Sequence, residues 1–246
     1  MILEVDMGNT RIKWRMRDGH IKLSQGFLGT EESLELLNSR LEPYVGATQT
    51  VLVVSVVGDQ LEQEFVAWSI AYLGVMPQFM RTGLVCGSVR NGYREPLRLG
   101  ADRWLAINAA YRLTMNASVV VSFGTATTLD LLAADGEHLG GFIAPGFGLM
   151  LSVLPAATRQ VKLEPFSELS LQPASTTTDA VYFAITAMLT GLIDNGVRQL
   201  RARSCDVKYK LVFTGGDAER FLPFYPQAQL IPDLVLDGIA CVLDNS

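Results

Sequence analysis

The first two strands are visible in the pattern of apolar and polar residues at the start of the chain. Residues 2–7 are mostly apolar, and in residues 10–17 apolar side chains alternate with polar, mainly basic ones. Such alternation is typical of a strand with one exposed face. Because Gly8-Asn9 lies between the two segments, the pattern predicts a β-hairpin with the carboxylate of Asp6 near the end of its first strand.

The rest of the N-terminal half alternates between helical and extended patterns. Helical apolar spacing at 31–44 is followed by a continuous apolar run at 50–57, which is typical of a buried strand, and by a second helical pattern at 59–73. Residues 85–100 are irregular and rich in glycine and arginine, and residues 101–114 have the pattern of a helix. This order of elements indicates an α/β fold.

The C-terminal half repeats the opening layout. An apolar strand at 118–121 leads into a glycine turn, and VDMGNTRI (5–12) can be overlaid on VSFGTATT (121–128) with Gly8 on Gly124. We interpret this as a duplication and predict two half-domains, 1–115 and 116–246. The remaining predicted elements are a helix at 147–158, a long apolar helix at 179–202, a buried strand at 210–216 and a helix at 233–243.

Composition and charge narrow the range of functions. Hydrophobic residues make up 49% of the 246 residues and the formal net charge is −5, so a core can form and the basic face that nucleic-acid binding needs is not expected. The cysteines (86, 205, 241) and histidines (20, 138) form no disulfide or zinc motif, which favours reduced cysteines and a cytoplasmic protein. Acidic residues near the start argue against a signal peptide, and apolar runs such as 51–57 are too short to cross a bilayer, so no membrane partner is expected.

The glycine turn of the first hairpin is a candidate phosphate site. Glycine lets backbone N–H groups approach an anion closely because it has no Cβ. If the turn consists of Gly8 and Asn9 alone, strand parity places Asp6, Arg11 and Lys13 on one face. Asp6 could then hold a hydrated Mg²⁺, and Lys13 could neutralise a phosphate. The alternative is an ordinary hairpin with a solvated charged face.

Two further glycine-containing segments favour the phosphate interpretation. SFGTATT (122–128) offers turn amides and three threonine hydroxyls, and in FTGGDAE (213–219) a nucleotide base or ribose could lie against Gly215-Gly216. Each has an ordinary alternative, a threonine-rich hairpin and a capped strand-to-helix turn. Together they predict a nucleotide cleft between two halves, without the GxxxxGK[ST] signature of a P-loop.

Eight segments that span nearly the whole chain, in a fixed order, carry a family resemblance. They are DMGNTRIK (6–13), NGY (91–93), GADRW (100–104), GTATTLD (124–130), GGFIAPG (140–146), the threonines at 176–178, FTGGDAE (213–219) and PDLVLDGI (232–239). On these motifs the chain resembles the type III pantothenate kinases, also described as the Bvg accessory factor family. This family belongs to the superfamily of acetate and sugar kinases, heat-shock chaperones and actin.

The resemblance implies ATP-dependent phosphorylation of pantothenate to 4′-phosphopantothenate, the first committed step towards coenzyme A. It implies an α/β fold of two ribonuclease-H-like (actin-like ATPase) domains with a nucleotide cleft between them. It also implies a homodimer whose interface completes the pantothenate pocket, with Mg²⁺ and a monovalent cation, potassium or ammonium, as cofactors.

The resemblance further implies roles for individual residues. Asp102 is the catalytic base and Asp6 lies near Mg²⁺. The ATP and phosphate contacts are Asp6, Met7, Gly8, Asn9, Thr10, Arg11, Ile12, Lys13 and, in the second phosphate loop, Thr125. The pantothenate contacts are Tyr93, Gly100, Ala101, Asp102, Arg103 and one of Thr176, Thr177 and Thr178, of which Thr177 is chosen for its spacing before the following Asp-Ala.

The chemistry of Asp102 is compatible with that role. It lies in the first turn of the predicted helix 101–114, where the helix dipole favours an ionised carboxylate, and helix capping is the alternative. In phosphoryl transfer the nucleophile keeps its proton until late, so a carboxylate mainly orients the hydroxyl and collects the proton afterwards. Arg103 faces either the substrate carboxylate or an interface, and Tyr93 is either a pocket wall or a packing residue.

The second glycine turn departs from the family pattern. The family motif usually reads Asp-x-Gly-Thr-Ala, and its Asp is associated with the monovalent cation, whereas Ser122 occupies that position here. A carboxylate supplies a full charge to a cation and a hydroxyl supplies only a dipole. We therefore expect weakened or altered monovalent-cation dependence, unless backbone carbonyls or Asp130 compensate.

Two other functions are compatible with the motifs. One is a different small-molecule kinase of the same superfamily, against which the short length and the NGY and GADRW segments argue. The other is a regulatory accessory or nucleotide-binding protein. The long apolar helix at 179–202 is compatible with a dimer interface and equally with a buried core.

Overall fold

The computed structural model describes residues 1–164, 168–203 and 208–243, so Cys205 lies outside the described residues. The chain forms two compact units. Unit 1 comprises Met1–Gly87, Tyr93–Ala109 and Leu234–Ser246, and unit 2 comprises Ser88–Gly92 and Ala110–Asp233. The predicted halves were defined by a repeat in the sequence, whereas the two units are defined by contacts within the fold. The division of the chain into duplicated halves at residue 115 therefore stays a prediction.

The sheet of unit 1 has five strands. In chain order the elements up to residue 114 are β1 (Ile2–Met7), β2 (Arg11–Asp18), β3 (Ile21–Gly29), α1 (Leu36–Leu41), β4 (Thr50–Ser55), α2 (Asp59–Trp68), β5 (Gln78–Met80), β6 (Val85–Cys86), β7 (Val89–Arg90) and α3 (Ala101–Thr114). A π-helical turn, Ser69–Leu73, continues α2, and 3₁₀ segments span Glu42–Ala47 and Pro96–Arg98. The strand order is β3-β2-β1-β4-β5; β1, β2 and β3 are antiparallel, and β4 and β5 run parallel to β1.

Unit 2 repeats this sheet. The later elements are β8 (Ala117–Phe123), β9 (Ala126–Leu132), β10 (His138–Pro145), α4 (Phe147–Ala157), α5 (Thr177–Arg203), β11 (Tyr209–Gly215), a 3₁₀ segment (Ala218–Phe224), β12 (Gln229–Leu230) and α6 (Leu234–Leu243), which belongs to unit 1. The order β10-β9-β8-β11-β12 again joins an antiparallel meander to two parallel strands. The same topology in both sheets agrees with the duplication inferred from the sequence.

The overlay of the two hairpins needs one correction. In the first hairpin Met7 pairs with Ile12, whereas in the second Phe123 pairs with Thr127, so the second turn is one residue shorter. The first turn is also longer than Gly8 and Asn9 alone, because the Gly8 N–H donates to the Arg11 carbonyl at 3.0 Å. On the second strand of each hairpin the overlay therefore shifts by one residue, and Lys13 of the first hairpin corresponds to Thr128 of the second.

Most predicted elements are present, and the differences lie at sheet edges and helix starts. The predicted helix at 101–114 is confirmed, whereas the helical pattern at 31–44 forms an α-helix only over Leu36–Leu41. The sequence pattern did not predict β3 or β10, the edge strands of the two meanders. An edge strand pairs on one side only, so glycines and a proline such as Pro145 are tolerated there and weaken its sequence signal.

Each hairpin buries one face in a hydrophobic core. In unit 1 this core includes Leu3, Val5, Met7, Ile12, Trp14 and Met16. In unit 2 it is dominated by an aromatic cluster of Phe123, Phe147, Phe213 and Phe221. The helix α5 is long and apolar enough to cross a membrane by length and composition alone; it buries Val181, Ile185, Leu189, Ile193 and Leu200, as the core helix of a globular protein does, so this resemblance to a membrane span is weak.

The opposite face of the first hairpin carries a buried ion network. Glu4 is fully buried, and its carboxylate accepts from Arg15 at 2.6 Å and from Arg17 at 2.6 and 2.8 Å. Arg15 also donates to Asp237 of α6 at 2.6 Å. These bonds connect the last helix of the chain to its first two strands. They help to explain why α6 belongs to unit 1.

Candidate active site

A carboxylate and an amine lie on facing strands near the turn of the first hairpin. Asp6 lies directly opposite Lys13 in the β1–β2 register. Asp6 is partly buried, and its pKa is raised to about 7, mainly by burial and further by the negative charge of Asp102, while Lys13 acts in the opposite direction. The structure therefore brings together three residues that the sequence analysis selected, Asp6, Lys13 and Asp102.

The predicted face is also correct. A turn of Gly8 and Asn9 alone would pair Asp6 with Arg11, whereas the structure pairs Asp6 with Lys13, two residues further along β2. Side chains two residues apart on a strand point to the same face, so Asp6, Arg11 and Lys13 still share one face. Val54 of β4 lies on the other side of Asp6. Lys13, Asp6 and Val54 thus form a row across β2, β1 and β4, with charged residues on β1 and β2 and an apolar residue on β4.

Asp102 and Arg103 lie in the first turn of α3. The Oδ1 atom of Asp102 accepts from the Arg103 backbone N–H at 2.8 Å, which orients the carboxylate at the helix start. A Cβ atom on Gly100 would be 2.6 Å from the same oxygen, so the glycine lets the carboxylate lie against the backbone. The helix dipole at this position favours the ionised form of a carboxylate.

Arg103 is held by Tyr93. Its side chain is largely buried, its Nη1 atom donates to the Tyr93 hydroxyl at 2.6 Å, and its guanidinium lies 5.4 Å from the centroid of the Tyr93 ring. A guanidinium positioned in this way can bind a carboxylate with two parallel hydrogen bonds. Within unit 1 the structure therefore brings Tyr93 of the NGY segment to Arg103 of the GADRW segment.

In unit 2 three glycine-containing segments meet. The Gly146 N–H donates to the Thr125 carbonyl at 2.8 Å, and a Cβ on Gly146 would be 2.0 Å from the Gly124 carbonyl oxygen. Gly215 has a φ of +97°, and a Cβ there would be 2.3 Å from the Phe123 carbonyl oxygen. Only glycine permits these approaches, so the GTATT, APG and TGG segments are close-packed around one hairpin turn.

The helix α4 begins at this turn. Gly146 precedes its first residue, and the first N–H groups of a helix of this length have no partner within the helix. These N–H groups and the positive end of the helix dipole favour a phosphate beside the Gly124-Thr125 turn. The role of Thr125 in a phosphate-binding loop stays a prediction.

Ser122 lies in a row of hydroxyl-bearing residues. It pairs with Thr128 on β9 and with Thr214 on β11, where the first sheet has Lys13, Asp6 and Val54. Asp130, two residues beyond Thr128, is buried, and its Oδ1 atom is 2.9 Å from the Nε2 atom of buried His138. Because Asp130 is engaged by His138, its proposed compensation for the missing carboxylate has no support from this geometry.

The three candidate threonines differ in their surroundings. The Thr176 hydroxyl accepts from the Asp179 N–H at 3.1 Å and caps α5, and the Thr178 hydroxyl accepts from the Glu164 N–H at 3.3 Å. Thr177 is the first residue of α5 and is exposed. Among the described residues its hydroxyl has no intramolecular hydrogen bond, which favours Thr177 as the one available to a ligand.

The chain is similar in sequence and in fold to known proteins. A sequence model described as "Type III pantothenate kinase" matches residues 2–199. The type III pantothenate kinase of Ectopseudomonas mendocina is 38% identical, over 98% of this chain and 98% of that protein. Two solved structures share the fold. One is a Baf family transcriptional activator from Campylobacter jejuni, with a TM-score of 0.62 and 21% identity over 98% of this chain and 97% of that chain. The other is a 2-dehydro-3-deoxygalactonokinase protein from Sinorhizobium meliloti, with a TM-score of 0.59 and 12% identity over 99% of this chain and 96% of that chain.

Proposed function

The chain belongs to the type III pantothenate kinase family and phosphorylates pantothenate with ATP in coenzyme A biosynthesis, and we propose roles for its residues in this reaction. The fold, with its two five-stranded sheets, is that of the actin-like sugar kinases. We assign the transfer chemistry to Asp6, Lys13 and Asp102 and the pantothenate contacts to Tyr93 and Arg103, with the neighbouring Gly100 and Ala101.

The observation that carries this assignment is the electrostatic coupling of Asp6 to Asp102. Two acids from segments nearly a hundred residues apart are close enough for one to raise the pKa of the other. A carboxyl whose pKa is raised by burial and by a second acid is a candidate for a functional site. This coupling supports an assignment in which Asp102 orients the pantothenate hydroxyl and receives its proton late in the transfer.

The donor set at Asp6 fits Mg²⁺. The described residues contain no cluster of three or more His, Cys, Asp or Glu side chains that could hold a metal ion. Mg²⁺ usually binds through one or two carboxylates together with substrate phosphates, and the neighbouring carboxyl groups of Asp6 and Asp102 suit such a site. When bound, Mg²⁺ would neutralise charge on the β- and γ-phosphates. Lys13, opposite Asp6, supplies a further positive charge from the protein.

Pantothenate carries a carboxylate and a primary hydroxyl, and the α3 start offers a partner for each. Arg103, fixed by Tyr93, would bind the carboxylate, and Asp102 would face the hydroxyl. Thr177 would add a hydroxyl contact, for which its exposure at the start of α5 is the support. The second phosphate loop is assigned to Thr125, and the base or ribose to Gly215-Gly216, on the close packing of these segments in unit 2.

The monovalent cation is proposed to be bound weakly or differently in this chain. Ser122 lies between Thr128 and Thr214, so the site that would hold potassium or ammonium offers hydroxyl dipoles where the family has a carboxylate. The nearest acid on β9, Asp130, already faces His138. Both observations support a reduced dependence on the ion.

A homodimer is proposed to form through the exposed face of α4 and α5. The helix α4 buries Phe147 and packs Met150 and Leu151 against the core, yet it leaves Leu149, Val153 and Leu154 exposed. Met188 on α5 is also exposed. Apolar side chains that a globular protein leaves uncovered on adjacent helices favour an interface with a second copy.

The experiment that tests the function couples ADP release to pantothenate. Purified protein is expected to release ADP from ATP and Mg²⁺ only when pantothenate is added, and not with sugars or acetate. ADP release with a sugar or acetate but not with pantothenate would contradict the assignment. A cytoplasmic location is part of the proposal, and no nucleic-acid or membrane partner is indicated.

A further inference from the structure

Three arginines lie on the same face of β2 but differ in their partners. Arg15 and Arg17 both bind the buried carboxylate of Glu4. Arg11, which is exposed beside the phosphate turn, has no carboxylate partner in the part of the chain that the structure describes. Its charge is therefore not neutralised by the protein.

Arg11 is instead held by an aromatic ring. Its guanidinium carbon lies 5.0 Å from the centroid of Phe27, within the range of a cation–π interaction. Phe27 belongs to β3 and is 55% exposed, which is high for a phenylalanine. Nothing in the hydrophobic core of unit 1 requires this ring, since Phe27 is not part of that core.

Phe27 extends the row of Asp6 and Lys13 onto β3. It lies opposite Lys13, which lies opposite Asp6. The end of β3 is bonded to the phosphate turn, because Thr30 donates to the Thr10 carbonyl through its N–H at 3.2 Å and to the Asn9 carbonyl through its hydroxyl at 3.1 Å. These bonds hold the end of β3, three residues beyond Phe27, against the turn.

Stacking on a ring leaves the hydrogen-bonding edge of a guanidinium available. The five N–H donors of arginine lie in the plane of the group, so a ring that covers one face restrains the side chain without using its donors. A restrained guanidinium loses less conformational freedom when it binds a phosphate than a mobile one does.

We propose that Phe27 is a positioning residue that holds Arg11 against the phosphates of ATP, as a second cation beside Lys13. This inference rests on the proposed function, in which the 6–13 segment binds ATP phosphates. It adds a residue of β3 that acts on the nucleotide through Arg11. It also predicts that the contribution of Phe27 to ATP binding disappears when Arg11 is removed.

The test compares Phe27→Leu, Phe27→Tyr, Arg11→Ala and the double variant Phe27→Leu/Arg11→Ala in the pantothenate-coupled assay. Phe27→Leu is expected to raise the KM for ATP about threefold, the effect of one exposed cation–π contact, with little change in kcat or in the KM for pantothenate. Phe27→Tyr, which keeps the ring, should behave as the wild type. Arg11→Ala should raise the KM for ATP about tenfold, and the double variant should equal Arg11→Ala.

A matched control and a direct binding measurement complete the design. Tyr209→Leu removes another Arg–aromatic pair, in which Arg201 lies 5.2 Å from the ring, at the end of β11 away from Gly215, and it should not alter the KM for ATP. Calorimetric titration with a non-hydrolysable ATP analogue should show the same ratios as KM. An unchanged ATP affinity in Phe27→Leu, or a further loss in the double variant, overturns the inference. A wild-type protein without pantothenate-dependent ADP release contradicts the proposed function instead, and the titration still tests Phe27.

Discussion

Asp6 and Lys13 face each other across the β1–β2 hairpin, one register step from the end of the pairing at Met7 and Ile12. Two residues back along β1, Glu4 faces Arg15 in the same way and on the same face of the sheet. The Glu4–Arg15 pair is buried and bound to α6, whereas Asp6 and Lys13 stay partly exposed. One charged face thus contains a buried pair and a partly exposed pair.

Asp102→Asn is expected to remove most of the turnover and to leave folding and ATP binding intact. The amide cannot accept the proton of the pantothenate hydroxyl, and loss of such a group lowers kcat about 10²- to 10⁴-fold. Steady-state kinetics and ATP titration measure the two effects. Asp59→Asn is the matched control, because Asp59 is also an acid in the first turn of a helix of unit 1. Near-normal turnover of Asp102→Asn would refute the role of Asp102.

Asp6→Asn is expected to stabilise the nucleotide-free protein at pH 8. The folded-state pKa of about 7 lies above the ordinary value of 3.8, so between these values the folded state binds more protons than the unfolded state and stability falls as pH rises. An amide lacks this penalty, and the gain at pH 8 should be about 4 kcal/mol, since each pKa unit of the shift corresponds to about 1.4 kcal/mol. Urea denaturation at pH 5 and pH 8, without divalent cations, measures it. A gain of equal size at both pH values would contradict the explanation.

Ser122→Asp is expected to restore a strong response to potassium or ammonium. The new carboxylate would supply the full charge that the Ser122 hydroxyl lacks, between Thr128 and Thr214. Activity is measured against each ion at constant ionic strength, with sodium or a bulky organic cation as the control. The wild type should respond weakly. A steep dependence of the wild type on potassium would show that Ser122 does not weaken the site.

Leu149→Glu/Val153→Glu is expected to convert a dimer into a monomer. Both side chains lie on the exposed face of α4, and burying two carboxylates there would oppose association. Sedimentation equilibrium measures the oligomeric state, and the KM for pantothenate should rise because the pocket is proposed to be completed by the partner. Ile70→Glu, at a residue of unit 1 that is 49% exposed, is the control and should not dissociate the dimer. An unchanged dimer in the α4 variant would exclude this face.

Glu4→Gln is expected to destabilise the protein by about 3–5 kcal/mol, because it leaves two buried or half-buried arginines without their shared carboxylate. Thermal or chemical unfolding measures the loss. In Glu137→Gln, which loses only an exposed pair with Arg203 at 3.8 Å, the change should stay within about 0.5 kcal/mol. Equal losses in both variants would mean that burial of the Glu4 network contributes little.

The fold was predictable where the pattern is strong. The buried strands, the helix 101–114 and the two glycine hairpins follow from local alternation, helical spacing and turn residues, and the structure has them. The edge strands β3 and β10 were not predicted, because each is stabilised mainly by pairing with a neighbour and not by its own alternation. For the same reason Phe27, which lies on β3, was missed as a site residue.

The sequence alone determined the family that the chain belongs to and supplied the candidate site residues. Asp6, Lys13, Asp102 and Arg103 are candidates because they lie in the short motifs DMGNTRIK and GADRW. The motifs do not state how these residues touch. Their distances depend on contacts between segments far apart in the chain, such as the Asp237–Arg15 bond that connects α6 to β2 and the Tyr93–Arg103 bond that fixes the guanidinium.

The tertiary structure alone decided the charge state and the availability of the selected groups. Two acids separated by 96 positions in the chain raise a pKa only when folding brings them together and removes water, as it does for Asp6 and Asp102. Likewise, three arginines on one strand look equivalent in sequence. In the folded protein Arg15 and Arg17 share the buried carboxylate of Glu4, whereas Arg11 lies against the ring of Phe27.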